Sequence, residues 1–195
     1  MVQVGKFEKE TIRTFICFDA SPKIKNHIRI LQDNARAFGE NVKWTQPENI
    51  HLTLKFLGDM HKKQIGAIAE QMEQVVQANK PFRLIISKTG AFPDFNNPAV
   101  LWMGPEKHGK GLKQLIEQLE DALAPLGFEK DKRELVPHLT LARLWQKASK
   151  TTESFKNLVF DPMPLSCRNV VLMQSILHPS GVVYKPLKVV RLGDR

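Results

Sequence analysis

His51-Leu52-Thr53-Leu54 stands in the first half of the chain, and His138-Leu139-Thr140-Leu141 repeats it in the second. Each copy follows a proline-containing turn, Gln46-Pro47-Glu48-Asn49 in one case and Pro137 in the other. By counting template matches, two such tetrapeptides arise by chance on the order of once in 100,000 chains or rarer, so the pair is read as a repeat. Both lie in apolar runs with strand character, Ile50 to Leu57 and Pro137 to Leu144. In a strand, residues i and i+2 share a face. Each copy therefore presents an imidazole and a hydroxyl on one side and two leucines to a core on the other.

Around the repeat, strands and helices mix. Thr11 to Phe18 reads as a buried strand, and Ser21-Pro22 as a helix start whose stripe Ile24, Ile28, Leu31, Ala35 and Phe38 ends at Gly39. Val42 to Trp44 is a short extended piece, and Gly58-Asp59 closes the strand that begins at Ile50. Ile65 to Val76 and Leu112 to Leu126 are amphipathic helices, the second capped by Gly127. Phe82 to Ser87 and Ala99 to Met103 are strands, and Lys147 to Lys156 is a short helix or loop. Leu165 to Leu177 and Val182 to Val190 form a closing hairpin through His178-Pro179-Ser180-Gly181. Several strands joined by short turns predict an α+β fold with antiparallel sheets rather than a doubly wound parallel one.

Composition narrows the function classes. The 195 residues are 42% apolar and 25% charged, enough for a core without disulfides or a structural metal. No apolar run suits a membrane span, and Met1 to Glu10 lacks the apolar segment of a secretory signal. Residues 1–10 are expected to be loosely ordered, and 11–195 to form one unit. Cys17 and Cys167 make neither a zinc pattern nor a disulfide framework, which points to a reducing cytoplasm. A net charge of +9 points to a polyanionic partner, nucleic acid first.

If the halves are related by a pseudo-twofold, the two His-Thr pairs face one another across a cleft. Such a cleft suits phosphoryl transfer. Histidine titrates near neutral pH, so one ring acts as base while the other acts as acid. Two threonine hydroxyls donate to non-bridging phosphate oxygens. No metal or other cofactor is called for, since a third ligand at a sensible spacing is missing. His27, His61, His108 and His178 have neither Cys nor paired acidic neighbours.

On these residues the chain resembles the two-histidine (2H) phosphoesterase superfamily, named for two His-x-Thr/Ser-x motifs. Within it, the chain is similar to the RNA 2′,3′-cyclic phosphodiesterase family, also called 2′-5′ RNA ligase or LigT-like. The blocks that carry the resemblance are Arg13 to Ile16, Trp44 to Gly58, Gly90-Ala91-Phe92-Pro93, Val100-Leu101-Trp102, Pro137 to Arg143, and Ser175 to Tyr184. The resemblance implies a bilobal α+β fold, with two similar lobes each carrying an antiparallel sheet and flanking helices around a central cleft. It also implies that His51 is the general acid that protonates the leaving 3′ oxygen and His138 the base that activates water. Spacing alone leaves open which histidine is which. By the same resemblance Thr53, Thr140 and Arg143 hold the phosphate.

Strand alternation raises two questions. Arg143 has the opposite parity to His138 and reaches the cleft only if the strand twists or ends there. Lys55 shares the parity of His51, so it either adds charge to the cleft or ends the strand in solvent. Trp44, Phe15, Phe92 and Tyr184 each either pack in the core or offer a base-stacking platform.

The leading expectation is metal-independent opening of RNA 2′,3′-cyclic phosphate ends to a 2′-phosphate, with reversible 2′-5′ RNA ligation beside it. The partner is then an RNA or oligonucleotide with a cyclic phosphate end, and the protein is expected to be a monomer without an obligate protein partner. The alternatives are a cyclic phosphodiesterase of small nucleotides, such as an ADP-ribose cyclic phosphate, and a non-catalytic RNA-binding protein.

Overall fold

In the computed structural model, residues 10–146, 148–179 and 181–193 are described. The expectation for the N-terminus concerns residues that lie almost wholly outside this set, as does Ser180 of the hairpin turn.

Among the described residues, nine strands and four α-helices make up the fold: β1 (Thr11–Asp19), α1 (Pro22–Arg36), β2 (Val42–Trp44), β3 (His51–His61), α2 (Ile65–Gln77), β4 (Phe82–Phe92), β5 (Val100–Pro105), α3 (Gly109–Leu123), β6 (Leu139–Leu144), α4 (Ser149–Lys156), β7 (Met163–Cys167), β8 (Asn169–His178) and β9 (Gly181–Arg191). The fold is α+β, and every strand pairing is antiparallel. One lobe holds β3-β1-β8-β9, and the other β7-β4-β5-β6 with β2 on β6. The lobes meet where β3 pairs with β6 at Leu52 and Leu139, the first leucines of the two repeats.

Helices back one face of each lobe. Gln32 of α1 reaches the carbonyl of Leu141 in β6 at 3.0 Å, and Phe155 of α4 packs near Trp44 of β2. Glu73 of α2 pairs with Lys188 of β9, and Glu120 of α3 with Lys55 of β3. The main core lies between strands and helices, with Ile16, Ile28, Leu52, Met72, Leu119 and Leu139 fully buried. A smaller cluster of Phe15, Cys17 and Val171, extended by Met173 and Tyr184, covers part of the helix-free face.

The helix start at Ser21 is as expected: its hydroxyl accepts from the Ile24 N–H at 3.4 Å and Pro22 fills the first helical position. Among the boundaries that differ from the sequence reading, three shape the sheet. β3 runs past Gly58, which takes a φ of +72° at a bulge where Leu57 has no partner on β1. β4 continues to Phe92, because its second half pairs with β5. The run Leu165 to Leu177 is two strands, since Cys167 pairs with Phe82 in one lobe and Val170 with Phe18 in the other. The chain changes lobes at Arg168.

Candidate active site

The two repeats begin alike. The ring Nδ1 of His51 lies 2.7 Å from the carbonyl oxygen of Asn49, and Nδ1 of His138 lies 2.7 Å from that of Val136. A carbonyl only accepts, so Nδ1 carries the proton in both rings. Nε2 is then the atom left for chemistry. Both rings are half-buried, and so are Thr53 and Thr140 on the same strand faces.

Aromatic walls hold each ring. His51 has Phe15 at 4.6 Å and the edge of Tyr184 at 5.2 Å between ring centroids. His138 has Phe92 edge-on at 4.9 Å and Trp102 at 6.1 Å. Gly90 makes the second wall possible. It pairs with Trp102 across β4 and β5, and a Cβ there would lie 2.1 Å from the indole. Of the four aromatics read as core or platform, Trp44 packs near Phe155 beneath the sheet, whereas Phe15, Phe92 and Tyr184 flank the histidines.

A bulge follows each histidine-threonine pair. On β3, Thr53 pairs with Cys17 and Lys55 with Ile16, so Leu54 is the extra residue. On β6, Thr140 pairs with Trp102 and Ala142 with Leu101, so Leu141 is extra. The freed carbonyl of Leu141 accepts from the Thr45 N–H at 2.9 Å and from Gln32. A bulge shifts alternation by one residue. Leu141 and Ala142 are therefore both buried, and Arg143 emerges on the face of His138 and Thr140. This answers the parity question for Arg143: its charge acts on both His138 and Tyr184.

The same shift corrects the reading of Lys55. It faces neither cleft nor solvent. Its side chain is 2% exposed, paired with Glu120 and donating to the Glu129 carbonyl at 2.8 Å. Phe56 instead occupies the position equivalent to Arg143 and is 64% exposed.

Electrostatics separate the two histidines. Burial pulls both rings below the ordinary imidazole pKa, and the carbonyl bonds partly offset this. At His51 the Asp19 carboxylate pulls the other way, while His138 and Lys25 lower it further. Asp19 is directly opposite His51 on β1 and bonds Lys25 at 2.8 Å. At His138 the neighbouring charge is Arg143, which lowers the pKa. Sequence reasoning missed Asp19; its place at the polar end of the first strand was the available signal. Among the described residues, no three His, Cys, Asp or Glu side chains gather as metal ligands.

The two histidine-threonine pairs thus stand one on each side of the β3–β6 seam, close enough for the charge of His138 to act on His51. A family described as LigT like phosphoesterase matches residues 18–102 and again residues 103–184, one repeat in each segment. The chain belongs to this family of 2H phosphoesterases. An Archaeoglobus fulgidus protein named RNA 2′,3′-cyclic phosphodiesterase is 32% identical, over 91% of this chain and 99% of its own length. A Thermotoga maritima protein of the same name is 30% identical over 90% of this chain and 93% of its own. Among solved structures, a Thermus thermophilus protein superposes with a TM-score of 0.79 at 24% identity, covering 94% of this chain and all of that one. Escherichia coli LigT complexed with 3′-AMP does so at 0.77 and 24%, covering 94% of this chain and 99% of that one. No helix among the described residues is long and apolar enough to cross a membrane.

Proposed function

We propose that this protein hydrolyses the 2′,3′-cyclic phosphate end of RNA to a 2′-phosphate, with His51 as acid and His138 as base. Its relatives' name supports the cyclic phosphodiester as substrate. The observation that carries the mechanism is the matched pair of imidazoles, each with Nδ1 committed to a carbonyl and each with a different charged neighbour. Asp19 favours the protonated form of His51, as an acid requires, and Arg143 favours the neutral form of His138, as a base requires.

In the reaction, Nε2 of His138 takes a proton from water as the water oxygen attacks phosphorus. The bond from phosphorus to the 3′ oxygen breaks, and Nε2–H of His51 delivers its proton to that oxygen. Thr53, Thr140 and Arg143 hold the non-bridging oxygens, where charge-assisted hydrogen bonds are strongest. With a 5′-hydroxyl in place of water, His138 takes the hydroxyl's proton as its oxygen attacks phosphorus, the bond to the 3′ oxygen breaks with His51 donating, and a 2′-5′ linkage forms; cleavage of that linkage runs these steps backward with the roles exchanged. Free, buried thiols at Cys17 and Cys167 fit a cytoplasmic setting.

The test is a short RNA ending in a 2′,3′-cyclic phosphate, incubated with EDTA, with the product phosphate mapped. Wild type is expected to yield a 2′-phosphate. His51→Ala and His138→Ala are each expected to lose about 10²–10⁴-fold. Full activity in both variants would overturn the two-histidine mechanism, and wild-type inactivity would overturn the substrate reading.

A further inference from the structure

Trp145 is 71% exposed, unusual for so large an apolar side chain. It sits two residues beyond Arg143, just past the end of β6, with buried Leu144 between them. Lys43 is opposite Arg143 in the β2–β6 pairing, and its ammonium lies 5.8 Å from the centre of the Trp145 ring. The indole borders an open groove of about 560 Å³, walled on one side by Phe95, Asn96 and Asn97 and on the other by the start of α4, with Ser149, Thr152 and Glu153. Along the chain the groove's wall begins at Pro93, next to the Phe92 that packs on His138, and Leu144 donates to the Ala99 carbonyl at 2.9 Å.

We infer that this groove is a subsite for single-stranded RNA on the 5′ side of the cyclic phosphate, with Trp145 as its base-stacking platform. The inference rests on the function proposed above. A 2′,3′-cyclic phosphate closes the 3′ end of a strand, so the rest of the RNA leaves the site in the 5′ direction only. Along β6, Trp145 is roughly 15 Å from Thr140 at about 3.3 Å per residue. That is beyond the terminal base but within reach of the nucleotides behind it. An indole stacks any base, Lys43 and Arg143 supply cations along the strand, and the asparagine amides supply donors and acceptors. Stacking gives no sequence preference by itself, so the subsite distinguishes an oligonucleotide from a mononucleotide rather than one sequence from another.

The experiment compares kcat/KM for a nucleoside 2′,3′-cyclic phosphate with that for a tetranucleotide carrying the same end, in wild type, Trp145→Ala and Trp145→Phe. Wild type is expected to prefer the tetranucleotide. Trp145→Ala is expected to cut kcat/KM for the tetranucleotide about tenfold while the mononucleotide value holds, with most of the effect in KM. Trp145→Phe is expected to keep most of the preference, since a phenyl ring still stacks. A structural role for the indole would lower both substrates together and would overturn the subsite, as would an unchanged ratio in Trp145→Ala. Wild-type inactivity on both substrates would instead overturn the phosphodiesterase reading, and this inference with it.

Discussion

The motif strands β3 and β6 start as copies and end as opposites. Both place histidine, leucine, threonine and leucine in the same order, both tie the histidine to a carbonyl two residues back, and both bulge at the second leucine. Beyond the bulge they diverge. β3 buries Lys55 and exposes Phe56, whereas β6 buries Ala142 and exposes Arg143. In the proposed mechanism the shared part builds two equivalent proton-transfer groups. Their neighbours make them unequal, Asp19 of β1 opposite His51 and Arg143 beyond the β6 bulge beside His138. A duplicated frame can thus supply an acid and a base without changing either motif.

The largest expected effect breaks the equivalence directly. A phosphodiester with a p-nitrophenolate leaving group needs no proton on departure. With it, the 10²–10⁴-fold defect of His51→Ala should shrink to about tenfold or less, while that of His138→Ala should persist. Equal defects in both variants, measured as kcat/KM by release of nitrophenolate, would mean that the roles are shared or reversed.

The buried halves of the two strands should differ in stability rather than rate. Lys55→Met leaves the Glu120 carboxylate without its cation, its remaining contact being the Asp131 N–H at 3.3 Å. Breaking one member of a buried pair costs about 3–5 kcal/mol. Lys55→Met combined with Glu120→Leu should recover most of that loss. Urea titrations of the three proteins measure it, and a single variant as stable as wild type would show that the pair does not brace β3 against α3.

Next comes the exposed pair. Arg143→Gln is expected to lower kcat/KM about 10–100-fold, the worth of a hydrogen bond from a charged donor at about 1.5–3 kcal/mol. Phe56→Gln at the equivalent position removes no phosphate ligand and should cost far less. Similar losses at both positions would mean that the phosphate is not held from the β6 side.

The bulges also explain what the sequence could and could not reveal. His51 with Thr53 and His138 with Thr140 lie before them, where strict alternation holds, so the paired imidazole and hydroxyl faces were legible from the tetrapeptides alone. Leu54 and Leu141 carry no glycine or asparagine to mark an irregular strand. Alternation counted through them therefore points Lys55 at the cleft and Arg143 away from it, the reverse of the structure. Resemblance brought Arg143 to the site; the backbone supplies the reason. The lobe change at Arg168 was hidden for a related cause. Apolar residues run on both sides of it, and only the pairing partners reveal two strands. Helix positions were easier, because their apolar stripes and the Ser21-Pro22 start are local signals.

The smallest effect tests the charges themselves. The proposed mechanism needs His138 neutral and His51 protonated, so kcat/KM should follow a bell. It rises with pH as His138 loses its proton and falls as His51 loses its own. Burial lowers both rings in the free enzyme, which puts the maximum on the acid side of the ordinary imidazole value of about 6.5. Asp19→Asn removes the charge that raises His51 and leaves Lys25, which lowers it, unopposed. Both changes act in one direction, so the alkaline limb should move to lower pH while the acid limb stays. Arg143→Gln removes a charge that lowers His138, so the acid limb should move to higher pH. Because the two rings feel one another's charge, each limb belongs to the pair until a variant moves it. If Asp19→Asn shifted the acid limb instead, His51 would be the base, and the polarity of the cleft would be reversed.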